Sequence, residues 1–273
     1  YSVFKAADRD LKFVLLTGVT KFSQVSVFSG FNQPDDISMD DRYEALCGIT
    51  EEELYSVFDE QIKAMAARYK VSEDEMKYRL KRKYDGYHFS PSMLDIYNPF
   101  SLLNALDAQD LSCFWVSSGA TSMLPKFVDN MELRLRNFEN CPILRKTLES
   151  SDVINGGAEL FLYQTGYLTI KSSDEFGYFL GFPNQEVKQA LYEVVLPSLT
   201  MKSESDIISL QGSLFRQLGT GQIADAMKTL KALVADVPYS NKKLASMDME
   251  ERYRLIISTI LNAIGLKVEV EHM

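Results

Sequence analysis

The sequence predicts a mainly α fold with α/β parts, and three observations carry that prediction. First, Thr50-Glu51-Glu52-Glu53 is a capping-box signature, and Leu54, Val57, Phe58, Ile62, Met65 and Tyr69 follow it at helical spacing. Ser72 with Glu75 repeats the signature and opens a second helix that ends in the basic run Lys81-Arg82-Lys83. The two helices are expected over about residues 51 to 69 and 73 to 83, as a helical hairpin. Second, Leu11-Lys12-Phe13-Val14-Leu15-Leu16 is apolar at five of six positions. A run of that kind, without alternation, reads as a strand buried on both faces, as in the parallel sheet of an α/β domain. Third, Tyr178-Phe179-Leu180-Gly181-Phe182 and the alternating Leu266-Lys267-Val268-Glu269-Val270-Glu271 read as strands near and at the end of the chain.

The opening strand is followed by Thr17, Thr20, Lys21 and Ser23, at the carboxyl end, where open α/β sheets place their ligands. That cluster is a candidate functional site. The alternative is that Thr17 and Gly18 end the strand and the hydroxyls cap the next turn. No comparable run of strand length appears in the following hundred residues, so the partners of this strand are expected upstream of Tyr1.

Composition is that of an ordinary soluble protein. Lys and Arg number 29 against 38 Asp and Glu, a formal charge of −9, so binding to a phosphate backbone draws nothing from the chain as a whole and needs a local basic patch. No apolar run approaches the roughly 20 residues of a membrane span, and Tyr1-Ser2-Val3-Phe4-Lys5 does not resemble a secretory signal. A cytoplasmic location is the expectation. Cys47, Cys113 and Cys141 are far apart and odd in number, without a CxxC spacing, which argues against a disulfide framework and a structural zinc site. His88 and His272 are the only histidines. They give no context for a Ser-His-Asp triad and read as surface residues.

In chain order, Phe31-Asn32-Gln33-Pro34-Asp35-Asp36 is a turn with a solvated acidic cluster. Tyr84-Asp85-Gly86-Tyr87-His88-Phe89 is an aromatic-rich turn segment, read as aromatics packing under a loop. In Tyr97-Asn98-Pro99-Phe100, Asn98 suits an N-cap and Pro99 the first helical position. An amphipathic helix is expected from about Thr121 to Phe138. A strand-like run lies within residues 160–170, a turn over 172–177, and the second strand of the hairpin after it. The helix opened by Pro183-Asn184 completes a winged-helix-like pattern. Two further helices carry Ile207, Leu210, Leu214 and Leu218, then Ile223, Met227, Leu230 and Val234. A final, almost wholly apolar helix starts at Glu250 and Glu251 and is ended by Gly265.

No GxxxxGK[ST] occurs in these 273 residues, and no apolar strand ends in the paired acids that hold Mg²⁺. Asp174 followed by Glu186-Val187-Lys188 satisfies the loose D…ExK spacing of metal-dependent nucleases. A helix opened at Asn184 separates Glu186 and Lys188 by about 200° around its axis, whereas such nucleases align i and i+2 on one face of a strand. The three residues are therefore not expected to converge on a metal.

Taken together, residues 15–23, Cys47-Gly48-Ile49-Thr50-Glu51-Glu52-Glu53-Leu54, Tyr84-Asp85-Gly86-Tyr87-His88-Phe89, Tyr97-Asn98-Pro99-Phe100-Ser101, Tyr163-Gln164-Thr165-Gly166-Tyr167-Leu168 and Phe182-Pro183-Asn184-Gln185-Glu186-Val187 resemble a bacterial family of AAA-ATPase-like proteins. The resemblance implies a P-loop ATPase core, a helical lid, a winged-helix-like region and a C-terminal nuclease-like domain of the PD-(D/E)xK type. It implies these boundaries: 1–110, the C-terminal part of the core and the lid; 111–201, the winged-helix-like region; 202–247, a helical connector; 248–273, the opening helix and strand of the nuclease-like domain. Residues 11–16 then resemble the sensor strand, a remnant of the ATPase sheet, with Thr17 or Thr20 facing the γ-phosphate or attacking water and Lys21 as a weaker candidate. Glu250 matches a Glu on the first helix of the nuclease-like fold that supports its metal site, with Glu251 adjacent. The implied cofactors, ATP and Mg²⁺, belong to a complete protein, with DNA as the implied partner. The chain alone is expected to bind neither cofactor tightly. A different class of function, a non-enzymatic helical module that binds a protein partner, remains as the alternative.

Overall fold

The computed structural model describes residues 7, 9–15, 17–18, 35–115, 138–149, 157–200, 203–235, 248–266 and 268. Two compact units divide the chain. One comprises residues 1–112 and 137–184, the other residues 113–136 and 185–273. The described residues are mainly helical, with two small antiparallel sheets.

In the first unit, β1 (Ile49–Thr50) runs directly into α1 (Glu51–Val57). The capping box is present in both directions: Thr50 Oγ1 accepts from the Glu53 N–H at 3.2 Å, and the Glu53 carboxylate accepts from the Thr50 N–H at 2.9 Å. Replacing Thr50 with alanine is expected to cost about 1 kcal/mol in urea unfolding, the usual cost of losing such a cap. The helix expected over 51–69 is two helices. Phe58, at φ −113 and ψ 21, leaves helical geometry and joins α1 to α2 (Asp59–Tyr69). Next, α3 (Glu73–Tyr84) begins at Ser72, whose hydroxyl accepts from the Glu75 N–H. β2 (Ile96–Tyr97) pairs antiparallel with β1, and α4 (Pro99–Ala108) starts on Asn98, whose side chain accepts from the Ser101 N–H.

Ile62, Met65, Met76, Leu80 and Leu102 are buried on the inner faces of these helices. The helices are also pinned at their ends. Tyr69 donates to Asp110 at 2.8 Å and accepts from the Leu111 N–H, and the Tyr84 hydroxyl donates to Ser112 O at 2.7 Å.

The second part of this unit holds β3 (Cys141–Leu144), the single turn α5 (Arg145–Leu148), α6 (Gly157–Gln164), β4 (Thr169–Ser173) and β5 (Gly177–Gly181). The sheet order is β3-β5-β4, all antiparallel. Of residues 160–170, where a strand-like run is expected, 160–164 are helix and Thr169 and Ile170 open β4. Leu160, Phe161 and Leu162 are consecutive and all buried, and such a run does not distinguish a helix buried all round from a strand. The helix ends where Thr165 bonds back to Phe161 O and Gly166 takes φ +80, and Tyr167 and Leu168 both donate to Leu162 O. Asp174 closes the hairpin turn by accepting from the Phe176 and Gly177 N–H groups.

In the second unit, α7 (Gln185–Thr200) packs on α10 (Met249–Ala263), and α8 (Glu204–Gly219) packs on α9 (Ile223–Ala235). Val187, Leu191, Val195, Ile256 and Ile260 fill the seam of the first pair. Gly265, at φ +81, ends α10 as expected.

The opening strand is not formed. Residues 11–15 and 17 lie in neither helix nor strand, and Phe13 and Leu15 are 80% and 50% exposed. A strand exists only through the neighbour it pairs with, and no described strand pairs with this run. The helix expected over 121–138 and the terminal strand over 266–271 lie outside the described residues, apart from Phe138, Leu266 and Val268, which are in no regular element. No helix among the described residues is long and apolar enough to cross a membrane.

Candidate functional site

Of the site residues singled out from sequence, Thr17 and Glu250 are among the described residues. Thr17 is exposed and outside any element, Thr20 and Lys21 lie outside the described residues, and Glu250 is an exposed first-turn residue of α10 paired with Arg254 at 2.7 Å. Asp174 is occupied in its turn. Glu186 is buried in the first turn of α7, where its Oε1 accepts from the Phe114 and Trp115 N–H groups, the second at 3.0 Å. A carboxylate used this way satisfies two backbone N–H groups of a neighbouring segment.

What the first unit does assemble is a polar joint, built from segments far apart in the sequence and centred on residues 84–97. Its floor is Asp85, whose side chain is 2% exposed. Burial raises the pKa of this carboxyl above its ordinary value, against the Lys81 ammonium 3.2 Å away. Lys81 also reaches Asp95 at 3.2 Å and Glu51 at 3.5 Å. Burial works against its charge, but the Asp85 and Asp95 carboxylates outweigh that, and its pKa lies above the usual value. Beside it, burial and the bond to Glu51 push the Tyr55 phenol up to about 12, and the Tyr55 hydroxyl donates to Glu51 at 2.7 Å.

The loop after Asp85 is tied to the hairpin of β4 and β5. The His88 N–H donates to Thr169 Oγ1 at 2.8 Å, and the Thr169 hydroxyl donates back to His88 O at 2.8 Å. His88 Nδ1 lies 2.6 Å from Ile170 O and Nε2 lies 2.8 Å from Asp95 Oδ1. The Tyr87 hydroxyl donates to Gly166 O at 3.0 Å, and Asn184 Nδ2 donates to Asp85 O at 3.0 Å. Lys171 completes the joint: its ammonium donates to Gly86 O at 3.1 Å and Pro183 O at 3.3 Å. The β4–β5 register shifts between Ile170 and Ser172, so Lys171 sits in a bulge. A bulge re-aims a side chain, which accounts for a lysine pointing inward from a hairpin strand. Burial lowers its pKa.

Asp95 sets a pH dependence. Burial opposes its charge, yet bonds from His88 and Lys81 outweigh that and hold its pKa below the usual carboxylate value. A depressed carboxyl stabilises the fold above its unfolded pKa of about 3.9, and that stability is lost as pH falls through the lower folded value. Asp95→Asn is therefore expected to flatten the acid limb of an unfolding-versus-pH profile. Because the side chain is 43% exposed, the effect should stay below about 1 kcal/mol.

Residues 84–89, expected as aromatics packing under a loop, carry the joint, and His88, expected at the surface, is largely buried. One signal was present: Asp-Gly at 85–86 and one of only two histidines lie next to each other in the same segment. Among the described residues no group of three or more His, Cys, Asp or Glu is arranged to hold a metal.

Over 278 aligned residues and 99% of its length, the chain is 30% identical to an uncharacterized protein in the vnfD 5' region of Azotobacter chroococcum mcd 1, and it spans 51%, about half, of that protein. No protein-family model and no solved structure matches it.

Proposed function

We propose that this chain is part of an ATP-binding, AAA-ATPase-like protein of the bacterial cytoplasm that acts on nucleic acid and is coupled to a nuclease-like module. The observation that carries the reading is the convergence in the first unit. Four of the six segments that bear the resemblance contribute to one joint: Glu51 from 47–54, Asp85 and His88 from 84–89, Gly166 from 163–168 and Asn184 from 182–187 bond within it. Segments with no contact along the chain are brought together by side chain to backbone bonds, which fits a single working module.

The 273 residues contain no GxxxxGK[ST]. In this reading ATP and Mg²⁺ belong to a longer protein, in which Thr17, Thr20 and Lys21 are the sensor candidates and Glu250 the nuclease-side candidate. The test compares the 273-residue chain with a longer protein that contains it, assaying ATP turnover and DNA cleavage with Mg²⁺ or Mn²⁺. The expected result is ATP turnover by the longer protein alone. Absence of turnover in both, with a phosphate-binding loop present in the longer one, would overturn the ATPase reading.

A second reading, a helical module that binds a protein partner, is favoured by one feature of the second unit. Ile208 and Phe215 on α8 are 68% and 59% exposed, and Ile223 and Met227 on α9 are also exposed. A DNA mobility shift at two salt concentrations separates the readings, since phosphate contacts weaken as salt rises.

A further inference from the structure

The hydrogen-bond geometry at His88 has a consequence that does not depend on the ATPase reading. Both ring nitrogens face acceptors: a backbone carbonyl, Ile170 O, at 2.6 Å and a carboxylate oxygen, Asp95 Oδ1, at 2.8 Å. A neutral imidazole has one N–H and therefore satisfies only one of them. The other contact then sets two lone pairs against each other. The doubly protonated ring donates to both, and one of its bonds is charge-assisted. Turning the ring does not remove the conflict, because neither partner can donate.

We propose that the joint is a pH-sensitive latch, closed while His88 carries both protons and loosened when it loses one. The segment it controls is the loop between α3 and β2. His88 is the point where that loop meets both β4, through Ile170 and Thr169, and its own far end, through Asp95. The charged groups around the ring are Asp95 on the loop, Lys81 on α3, Asp85 just beyond it, Glu51 on α1 acting through Lys81, and Lys171 on β4. Unperturbed imidazole changes charge between about pH 5 and 8, which sets the range to scan. The direction of the latch is opposite to the acid limb set by Asp95: it weakens as pH rises.

Amide hydrogen exchange on the 273-residue chain tests this. The reporters are the N–H groups of Tyr87, His88 and Ile96, which donate to Ile96 O, Thr169 Oγ1 and Tyr87 O. The controls are amides inside α2. The protection factors of the reporters are expected to fall about tenfold from pH 5.5 to 8, the scale of one lost charge-assisted bond, while the controls hold. In His88→Gln, which stays neutral, they should be low at pH 5.5 and flat across the range. In Asp95→Asn the amide can donate to a neutral ring, so protection at pH 8 should exceed that of the parent. Reporters that stay constant in the parent between pH 5.5 and 8, or fall as far in His88→Gln, would overturn the latch.

Discussion

Gly86→Ala is expected to unfold the joint and to destabilise the first unit by about 3 kcal/mol or more. Gly86 has φ +91, a backbone conformation that costs an L residue about 1–3 kcal/mol. Steric conflict adds to that strain. A Cβ at this position would lie 2.4 Å from Pro183 O, a backbone atom that cannot rotate away. Pro183 O is also one of the two carbonyls that Lys171 holds, so moving it breaks the Lys171 bridge as well. Urea unfolding followed by far-UV circular dichroism measures the loss. Alanine tolerated within about 0.5 kcal/mol would mean that the loop does not approach Pro183 as described.

Glu186→Ala is expected to have the largest effect in the second unit, about 2–5 kcal/mol. The carboxylate is fully buried and accepts from two successive backbone N–H groups, and an unsatisfied buried donor costs about 1–3 kcal/mol. Glu186→Gln retains one acceptor oxygen and should cost much less. The readout is built in, because Trp115, one of the two donors, is the only tryptophan of the chain and is buried. In the alanine variant its emission should shift to the red before the main unfolding transition; in the glutamine variant it should stay close to that of the parent.

Signals confined to a few residues were legible in the sequence. Thr50, Ser72 and Asn98 cap helices where capping chemistry places them, because an N-cap bond spans only three residues. The turn at Asp174 and the C-cap at Gly265 are local in the same sense. The described residues of the run at 11–16 form no strand, because a strand is a relation between two segments and composition specifies only one of them. Within 160–170 the sequence does not separate the end of α6 from the start of β4, because a short apolar run fits either element. The joint is not legible for a third reason. His88 lies some eighty residues before Thr169 and Lys171, and the inward turn of Lys171 depends on a bulge that no residue type announces.

The D…ExK spacing illustrates the converse. Its Asp closes a turn and its Glu accepts from a backbone segment, so two of the three residue types in the pattern have structural bonds of their own.

The convergence of distant segments on residues 85–86 is tested most directly by a double-mutant cycle between Lys171→Met and Asn184→Ala. Lys171 holds Gly86 O and Asn184 holds Asp85 O, so both act on the same two-residue turn from different elements. If the turn is held jointly, opening it in one variant removes most of what the second substitution can still take away. Urea unfolding should then give a double-variant loss smaller than the sum of the single losses, by at least about 0.5 kcal/mol. Losses that add to within about 0.3 kcal/mol, as for independent sites, would contradict the joint.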